Sequence, residues 1–223
     1  MERTMQRKVL FVSGIDTNIG KSYGTALLKK LYSDRGVRAI TQKMIQTGND
    51  DRSEDIELHR RLLGEGWQAA DESGATAPII FSYPASPHLA ARLDNREIDL
   101  TVIDKATERL LGEYGYELVL LEGAGGLMVP ITEDYLTIDF VKERGYPIAL
   151  VTSGRLGSIN HTLLSLEVCQ SRGIEVTYLI YNRYPKVDEL IEEDTLSYLE
   201  KYLAKHFPET ELIQMQAWTE VAQ

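Results

Sequence analysis

Cysteine is almost absent from this sequence, and long apolar runs are missing altogether. Cys169 is the only cysteine in 223 residues, so no disulfide can form within the chain, which is typical of proteins in a reducing cytosol. No apolar run approaches the roughly 20 residues of a membrane-spanning helix. Residues 1–8 are polar and lack the apolar core of a signal peptide. We therefore expect a cytoplasmic protein that makes no contact with a membrane.

Basic residues are scarce relative to acidic ones. The chain has 24 Lys and Arg against 34 Asp and Glu, a formal net charge of −10. A nucleic-acid-binding surface needs a basic patch, so we expect no nucleic-acid partner. The composition, 43% hydrophobic and 26% charged, is typical of a globular protein. The length predicts a single domain over residues 1–223.

Short apolar runs alternate with amphipathic stretches along the chain. The apolar runs are residues 9–12, 39–40, 118–121, 148–151 and 176–181. The amphipathic stretches include residues 25–32, 102–111, 162–168 and 190–203. This alternation predicts an α/β fold with a mostly parallel sheet. Because the apolar runs are continuous, we expect helices to cover both faces of the sheet.

A glycine-rich segment follows the first predicted strand and precedes a predicted helix. It reads Gly14-Ile15-Asp16-Thr17-Asn18-Ile19-Gly20-Lys21-Ser22. This arrangement is typical of a P-loop, in which backbone N–H groups and a helix N-terminus bind phosphates, the lysine reaches the outer phosphates and the hydroxyl binds Mg²⁺. Five residues separate the two glycines, one more than in the general pattern. A plain glycine turn is the alternative interpretation.

Charged side chains stand at the ends of predicted elements. Glu122 ends a strand just before residues 123–126, at the edge where α/β sheets bind ligands, although it also fits a simple strand cap. Asp55 opens a predicted helix over residues 56–63, a position that suits any acidic residue. Lys43 ends the second predicted strand. Beside a phosphate loop it is a candidate second cation for phosphate, although isolated lysines usually lie on the solvated surface.

Taken in order, these segments resemble the dethiobiotin synthetase family. The resemblance rests on the phosphate loop with its longer spacing and on five further segments, which are Lys43-Met44-Ile45-Gln46-Thr47-Gly48, Ser53-Glu54-Asp55, Pro84-Ala85-Ser86-Pro87-His88, Glu122-Gly123-Ala124-Gly125-Gly126 and Leu156-Gly157-Ser158-Ile159-Asn160-His161. Two departures stand out. Met44 replaces the family's usual proline, so a less rigid loop is expected after Lys43. The C-terminal Gly-x-Ile/Leu-Pro turn is absent, which leaves the nucleotide base selectivity open.

The resemblance implies a P-loop enzyme that converts 7,8-diaminopelargonate, CO₂ and ATP into dethiobiotin, ADP and phosphate. One amine of the substrate takes up CO₂ as a carbamate, the carbamate attacks the γ-phosphate to give a carbamic–phosphoric anhydride, and the second amine closes the ring. The family also implies a homodimer with its sites at the interface. A related P-loop amide ligase, or a paralogue that binds nucleotide without this activity, is the alternative.

The resemblance also implies roles for individual residues. Lys21, Lys43 and Thr17 are expected to take part in catalysis, and Ser22, Asp55 and Glu122 to bind Mg²⁺, with Glu54 as the alternative to Asp55. The residues expected at the nucleotide are Gly14, Asp16, Asn18, Ile19, Gly20, Lys21, Ser22, Glu122, Gly125 and Asn182. Those expected at the substrate are Thr17, Lys43, Thr47, Val129, Gly157 and Asn160, the last two from a helix N-terminus of a second subunit. His88 and His161 are expected to be structural.

Overall fold

The structure is a computed structural model that describes residues 9–186 and 188–218. Strands and helices alternate along this part of the chain. The strands are β1 Val9–Gly14, β2 Ala39–Lys43, β3 Gln46–Thr47, β4 Ile80–Phe81, β5 Leu118–Glu122, β6 Pro130–Thr132, β7 Tyr135–Leu136, β8 Ile148–Ser153, β9 Val176–Asn182 and β10 Glu211–Met215. The helices are α1 Lys21–Asp34, α2 Glu54–Leu63, α3 Ala69–Glu72, α4 Pro87–Leu93, α5 Leu100–Gly112, α6 Thr137–Arg144, α7 Ser158–Ser171 and α8 Glu189–His206. The expectation that no signal peptide is present concerns residues 1–8, which lie outside these ranges.

A six-stranded parallel sheet forms the centre of the molecule, in the order β10-β9-β8-β1-β5-β2. Every residue of β1, β5 and β8 is buried. Because successive side chains of a strand point to opposite faces, both faces of the sheet are covered. The predicted α/β fold with a mostly parallel sheet is therefore confirmed, and each of the five predicted apolar runs forms one of its strands.

The sixth strand of this sheet, β10, is not among the predicted strands. It lies at the sheet edge beside β9, with Leu212 paired to Leu179. Only Met215 of its five residues is buried. An edge strand with polar residues between its apolar ones does not produce the continuous apolar run on which the prediction of strands depended.

The carboxyl ends of the parallel strands meet at one edge of the sheet, as the topology requires. β2 and β5 are neighbours, and their register sets Lys43 opposite Glu122. β1 ends at Gly14, from which the glycine-rich loop leads into α1. Three separate segments of the chain thus bring their last residues to the same place.

The segment between α2 and α4 is held against this edge by a buried ion pair. The guanidinium of Arg60 contacts both carboxylate oxygens of Asp71, at 2.9 and 2.8 Å. Burial opposes ionisation of Asp71, but the hydrogen bonds and charge of Arg60 outweigh it and lower the pKa of the carboxyl group. Asp71 also accepts a hydrogen bond from Thr76, whose carbonyl accepts one from the Lys43 N–H. The ion pair therefore supports the end of β2 from outside the site.

Candidate active site

The glycine-rich loop adopts a conformation that glycine makes possible. Gly20, immediately before α1, has φ of 97°, and a Cβ there would lie 2.5 Å from Nδ2 of Asn182. That amide nitrogen donates to the carbonyl of Ile19 at 2.9 Å, and Oδ1 of Asn182 accepts from the Tyr184 N–H at 3.0 Å. Asn182, expected at the nucleotide base, therefore holds the loop in this structure.

Lys21, the first residue of α1, is nearly buried. Its Nζ donates to the carbonyl of Asp16 at 2.9 Å, so the ammonium lies folded over the loop. Burial, followed by repulsion from Lys43, lowers the pKa of Lys21. An anion bound in the loop would relieve both effects, which is the behaviour expected of a phosphate-binding lysine.

Ser22, Asp55 and Glu122 converge although they are far apart in the sequence. Ser22 Oγ lies 2.6 Å from Asp55 Oδ1 and 3.1 Å from Glu122 Oε1. Ser53 caps α2 by accepting a hydrogen bond from the Ile56 N–H, which fixes the start of that helix and with it Asp55. Glu54, the alternative to Asp55, is exposed and makes no contact with Ser22 or Glu122.

Lys43 lies between the two carboxylates. Its Nζ is 2.6 Å from Asp55 Oδ2 and 2.9 Å from Glu122 Oε1. Burial disfavours the ammonium, but Glu122 and Asp55 outweigh burial and raise the pKa of Lys43. Burial likewise opposes ionisation of Glu122, yet Lys43 and His59 lower its pKa well below the usual range. Lysine and glutamate therefore both carry their charges here.

This group of oxygens suits Mg²⁺. Among the described residues, no three His, Cys, Asp or Glu side chains are arranged to hold a metal ion by themselves. Mg²⁺ is ordinarily bound by one or two carboxylates, with phosphate oxygens and water completing its coordination. The hydroxyl of Ser22 and the carboxylates of Asp55 and Glu122 match that donor set, and the ammonium of Lys43 shows that the place accommodates positive charge.

A cavity of about 930 Å³ opens from the phosphate loop along the ends of β2 and β5. Most of the residues expected at the site contribute to its wall, namely Thr17, Asn18, Gly20, Lys21, Ser22, Lys43, Thr47, Asp55, Glu122, Gly125 and Val129. A cavity of this size accommodates a small-molecule ligand.

The remaining expected site residues lie away from the cavity wall. Gly14 and Ile19 belong to the interior of the loop, where a Cβ on Gly14 would approach Ile19 Cγ2 to 2.5 Å. Asp16, in the glycine-rich loop, forms an ion pair with Arg155, which lies in the loop before α7. This contact lowers the pKa of the Asp16 carboxyl. Gly157 and Asn160, at the start of α7, are exposed and do not line the cavity of their own chain.

Met44, which stands where the family usually has proline, makes a backbone contact of its own. Its N–H donates to the carbonyl of Glu122 at 2.9 Å, a hydrogen bond that proline cannot make. Its side chain is 1% exposed. The loop after Lys43 is therefore tied to β5 by a backbone hydrogen bond and a buried side chain, and its rigidity relative to a loop with proline stays a prediction.

Two residues of the site were missed by the sequence interpretation, His59 and Thr25. His59 Nε2 and Thr25 Oγ1 each lie 2.9 Å from Glu122 Oε2. The signal that could have found them is helical spacing. His59 follows Asp55 by four residues and Thr25 follows Ser22 by three, so each lies on the same helix face as an expected ligand.

Comparison with known proteins shows a family to which the sequence is similar. Residues 8–213 match a family model described as an AAA domain. The ATP-dependent dethiobiotin synthetase of Chlorobaculum tepidum is 52% identical over 87% of this chain and 80% of its own length. A second such synthetase, from Haemophilus ducreyi, is 50% identical over 93% of this chain and 98% of its own length.

Solved structures resemble the fold at low sequence identity. The signal recognition particle receptor FtsY from Elizabethkingia anophelis matches with a TM-score of 0.54 at 13% identity, over 96% of this chain and 60% of FtsY. The protein pNOB8 ParA, solved bound to nonspecific DNA, matches with a TM-score of 0.51 at 13% identity, over 92% of this chain and 79% of ParA. These matches show the P-loop NTPase fold alone. Within the described residues, no helix combines the length and hydropathy that a membrane span needs.

Proposed function

The chain belongs to the dethiobiotin synthetase family, and we propose that its cavity binds ATP, Mg²⁺, CO₂ and 7,8-diaminopelargonate for the ring closure of biotin biosynthesis. The enzyme is an ATP-dependent ligase. The assignment of the site rests on one observation, the contact of the buried Lys43 with Asp55 and Glu122 beside the Ser22 hydroxyl. The buried Lys21 lines the same cavity.

The two lysines have complementary tasks in this proposal. Lys21 binds the outer phosphates from within the loop. Lys43 lies at the boundary between the phosphate loop and the rest of the cavity. Its ammonium neutralises the negative charge of the carbamate and of the γ-phosphoryl group that the carbamate attacks. The reaction needs no covalent enzyme intermediate, so catalysis consists of positioning and charge stabilisation. Holding two reactants in place can itself contribute on the order of 7–11 kcal/mol.

The substrate end of the cavity is assigned to Thr17, Thr47 and Val129. The two threonine hydroxyls are suited to hydrogen bonds with the diamine and its carbamate, and Val129 offers an apolar wall. The carbamate oxygen attacks the γ-phosphorus and displaces ADP. The second amine then attacks the carbamoyl carbon, which forms the C–N bond that closes the ring and expels inorganic phosphate.

Mg²⁺ is part of the proposal because the donor set fits it. Ser22, Asp55 and Glu122 would hold the ion, whose chemistry is to neutralise phosphate oxygens of ATP. Asp55 is preferred over Glu54 because only Asp55 contacts both Ser22 and Lys43. The base site is assigned near Asn182, although its amide already bonds to Ile19 and Tyr184.

A homodimer completes the site in this proposal. Leu156, just before α7, is 84% exposed, and Leu164, within α7, is 62% exposed. Met128, next to Val129 of the cavity wall, is 53% exposed. These apolar surfaces favour a partner subunit. The N-terminus of the partner's α7, at Gly157 and Asn160, would then bind the carboxylate of the substrate through its free N–H groups. A cytoplasmic location, where ATP is supplied, belongs to the same proposal.

The test is a product assay with systematic omission. Purified protein is mixed with diaminopelargonate, bicarbonate, Mg²⁺ and ATP, and dethiobiotin is followed by mass spectrometry. We expect product only when all four components are present, and no product from a Lys21→Ala variant. Replacing ATP by other triphosphates measures the base selectivity.

Two results would favour the alternatives. If ATP binds but no dethiobiotin forms, the chain is a non-catalytic paralogue. If no dethiobiotin forms, but ATP is consumed to join ammonia to a carboxylate in an amide bond, the chain is an amide ligase. Retention of both Lys21 and Lys43, each buried at the cavity, argues against the first alternative.

A further inference from the structure

His59 is a buried histidine that the mechanism above does not use. It lies on α2 with a relative exposure of 0%, one turn after Asp55. Its Nε2 is 2.9 Å from Oε2 of Glu122, while its Nδ1 has no hydrogen-bond partner. Since a carboxylate only accepts hydrogen bonds, Nε2 carries the proton in this contact.

The two oxygens of Glu122 are divided between two sets of neighbours. Oε1 lies 3.1 Å from Ser22 Oγ and 2.9 Å from Lys43 Nζ, on the side of the cavity. Oε2 lies 2.9 Å from Thr25 Oγ1 and 2.9 Å from His59 Nε2. The Thr25 hydroxyl also lies 2.9 Å from the carbonyl oxygen of Lys21, so it shares one proton between two acceptors, whereas the Nε2–H of His59 is directed at Oε2 alone. Both groups hold Oε2 from the protein interior, and Oε1 is left to face the site.

Helices α1 and α2 each supply one residue that faces the site and one residue that holds Oε2 of Glu122. On α1, Ser22 faces the site and Thr25 holds Oε2 of Glu122. On α2, Asp55 faces the site and His59 holds Oε2. Their separations of three and four residues place both members of each pair on one helix face. A carboxylate fixed in this way keeps its orientation when a cation is bound or released.

Packing alone does not account for a histidine at this position. A buried Nδ1 without a partner costs free energy of folding, because that nitrogen loses its hydrogen bond to water. A leucine would fill a similar volume at no such cost. The polar contact with Glu122 is the one compensating interaction that the described residues offer to the imidazole.

We propose that His59 is a positioning residue that, together with Thr25, holds Oε2 of Glu122 so that Oε1 alone is presented to Mg²⁺ and Lys43. The inference rests on the proposed function, in that the cation binds together with ATP. Groups that orient a metal ligand in this way commonly change metal affinity roughly 10–100-fold when they are removed.

The test compares two polar variants of similar size. Glutamine at position 59 can carry its amide nitrogen to the place of Nε2, whereas asparagine reaches only as far as Nδ1. Binding of Mn²⁺, used as a spectroscopic probe for Mg²⁺, is measured by electron paramagnetic resonance with the enzyme saturated in ADP. Steady-state rates are then measured as a function of Mg²⁺ and of diaminopelargonate.

We expect His59→Asn to weaken Mn²⁺ binding roughly tenfold or more, and His59→Gln to remain within about threefold of the wild type. The KM for Mg²⁺ should rise in the asparagine variant, while the KM for diaminopelargonate stays constant. Thr107→Val is the control. It removes a buried hydrogen bond from α5 to Gln42 of β2. Neither residue lines the cavity, so the variant should have a lower melting temperature and unchanged Mn²⁺ binding.

The proposal is overturned if His59→Asn binds Mn²⁺ like the wild type, or if the glutamine and asparagine variants lose affinity equally. Should neither variant fold, Thr25→Ser against Thr25→Val poses the same question at the other donor, and equal Mn²⁺ affinity in that pair overturns the proposal. A wild-type enzyme that makes no dethiobiotin would instead refute the proposed function, before any variant is compared.

Discussion

Lys43 and Glu122 form an ion pair within the protein interior, with Nζ 2.9 Å from Oε1 and side-chain exposures of 7% and 1%. The pair follows directly from the fold, since the two residues are opposite each other at the ends of neighbouring strands. Two groups that are charged and removed from water are costly unless each finds a partner. The arrangement keeps an ammonium at the mouth of the phosphate loop before any ligand arrives.

Replacing Lys43 by alanine should lower turnover by two to three orders of magnitude (about 10²–10³-fold) while leaving nucleotide binding largely intact. Loss of one preorganised charge-stabilising group typically lowers the rate by about 10²–10³-fold, and Lys21 remains to bind phosphate. Dethiobiotin formation and ATP affinity are measured on the same protein. Lys30→Ala, at an exposed ion pair on α1, should leave both unchanged. Undiminished turnover in Lys43→Ala would remove Lys43 from the mechanism.

Gly20→Ala should impair nucleotide binding. With φ of 97°, alanine is strained by about 1–2 kcal/mol, and its Cβ would collide with the amide of Asn182, which holds the loop. We expect at least about a tenfold loss of ATP affinity by isothermal titration calorimetry, since each 1.4 kcal/mol or so corresponds to a factor of ten. Gly36→Ala has similar strain, with φ of 81°, but no atom within 4 Å of its Cβ. That control should lower stability and keep ATP affinity.

Asp71 should make stability sensitive to acid. Its pKa is lowered in the folded protein from the ordinary value of 3.8, so the unfolded chain binds the proton more readily. The stabilising contribution is therefore complete above about pH 3.8 and is lost as the pH falls through the folded pKa. Urea unfolding at a series of pH values measures this dependence.

Asp71→Asn should flatten that acid slope and destabilise the enzyme at pH 7 by up to about 3–5 kcal/mol. Among the residues that the structure describes, the buried Arg60 would keep only Glu65, 4.0 Å away, as its counter-charge. The exposed Asp34→Asn is the control, and it should change the free energy of unfolding by less than about 1 kcal/mol. An Asp71→Asn variant with wild-type stability at pH 7 would show that Arg60 does not depend on this carboxylate.

Leu164→Glu should convert the proposed homodimer into monomers. The side chain is 62% exposed on α7, and a charge there would have to be buried in an interface. We expect a halved mass by analytical ultracentrifugation, a raised KM for diaminopelargonate and unchanged ATP affinity. Leu190→Glu, at a residue 80% exposed on α8, should remain dimeric. A Leu164→Glu variant that sedimented as a dimer would place the interface elsewhere.

The central sheet could be predicted because its strands are buried on both faces. Burial on both faces produces continuous apolar runs, and such runs mark β1, β5 and β8 in the sequence. The edge strand β10 is half exposed and carries no such mark. The meeting of Lys43 and Glu122 could also be anticipated, because parallel strands bring their carboxyl ends together. Lys21 could be anticipated from the glycine-rich loop before α1.

The residues behind the ligands could not be found in the same way. His59 and Thr25 act on Glu122, which is 63 and 97 positions away in the sequence. Helical spacing places them on the same faces as Asp55 and Ser22. Their contacts with Glu122 also depend on how α1 and α2 are rotated against the sheet, which spacing alone does not determine. The hydrogen bond from the Met44 N–H to the Glu122 carbonyl could not be predicted either, because a backbone hydrogen bond depends on strand register and not on the side chain.

Transfer of an oxygen isotope tests the proposed chemistry most directly. In a short incubation with C¹⁸O₂, ATP, Mg²⁺ and diaminopelargonate, the carbamate carries the label, and its attacking oxygen becomes the bridge to phosphorus. When the second amine closes the ring, that oxygen leaves with inorganic phosphate. We expect one ¹⁸O in each phosphate released alongside dethiobiotin. Phosphate without ¹⁸O would mean that water cleaves ATP, and would contradict the reaction assigned to Lys21, Lys43 and their carboxylate partners.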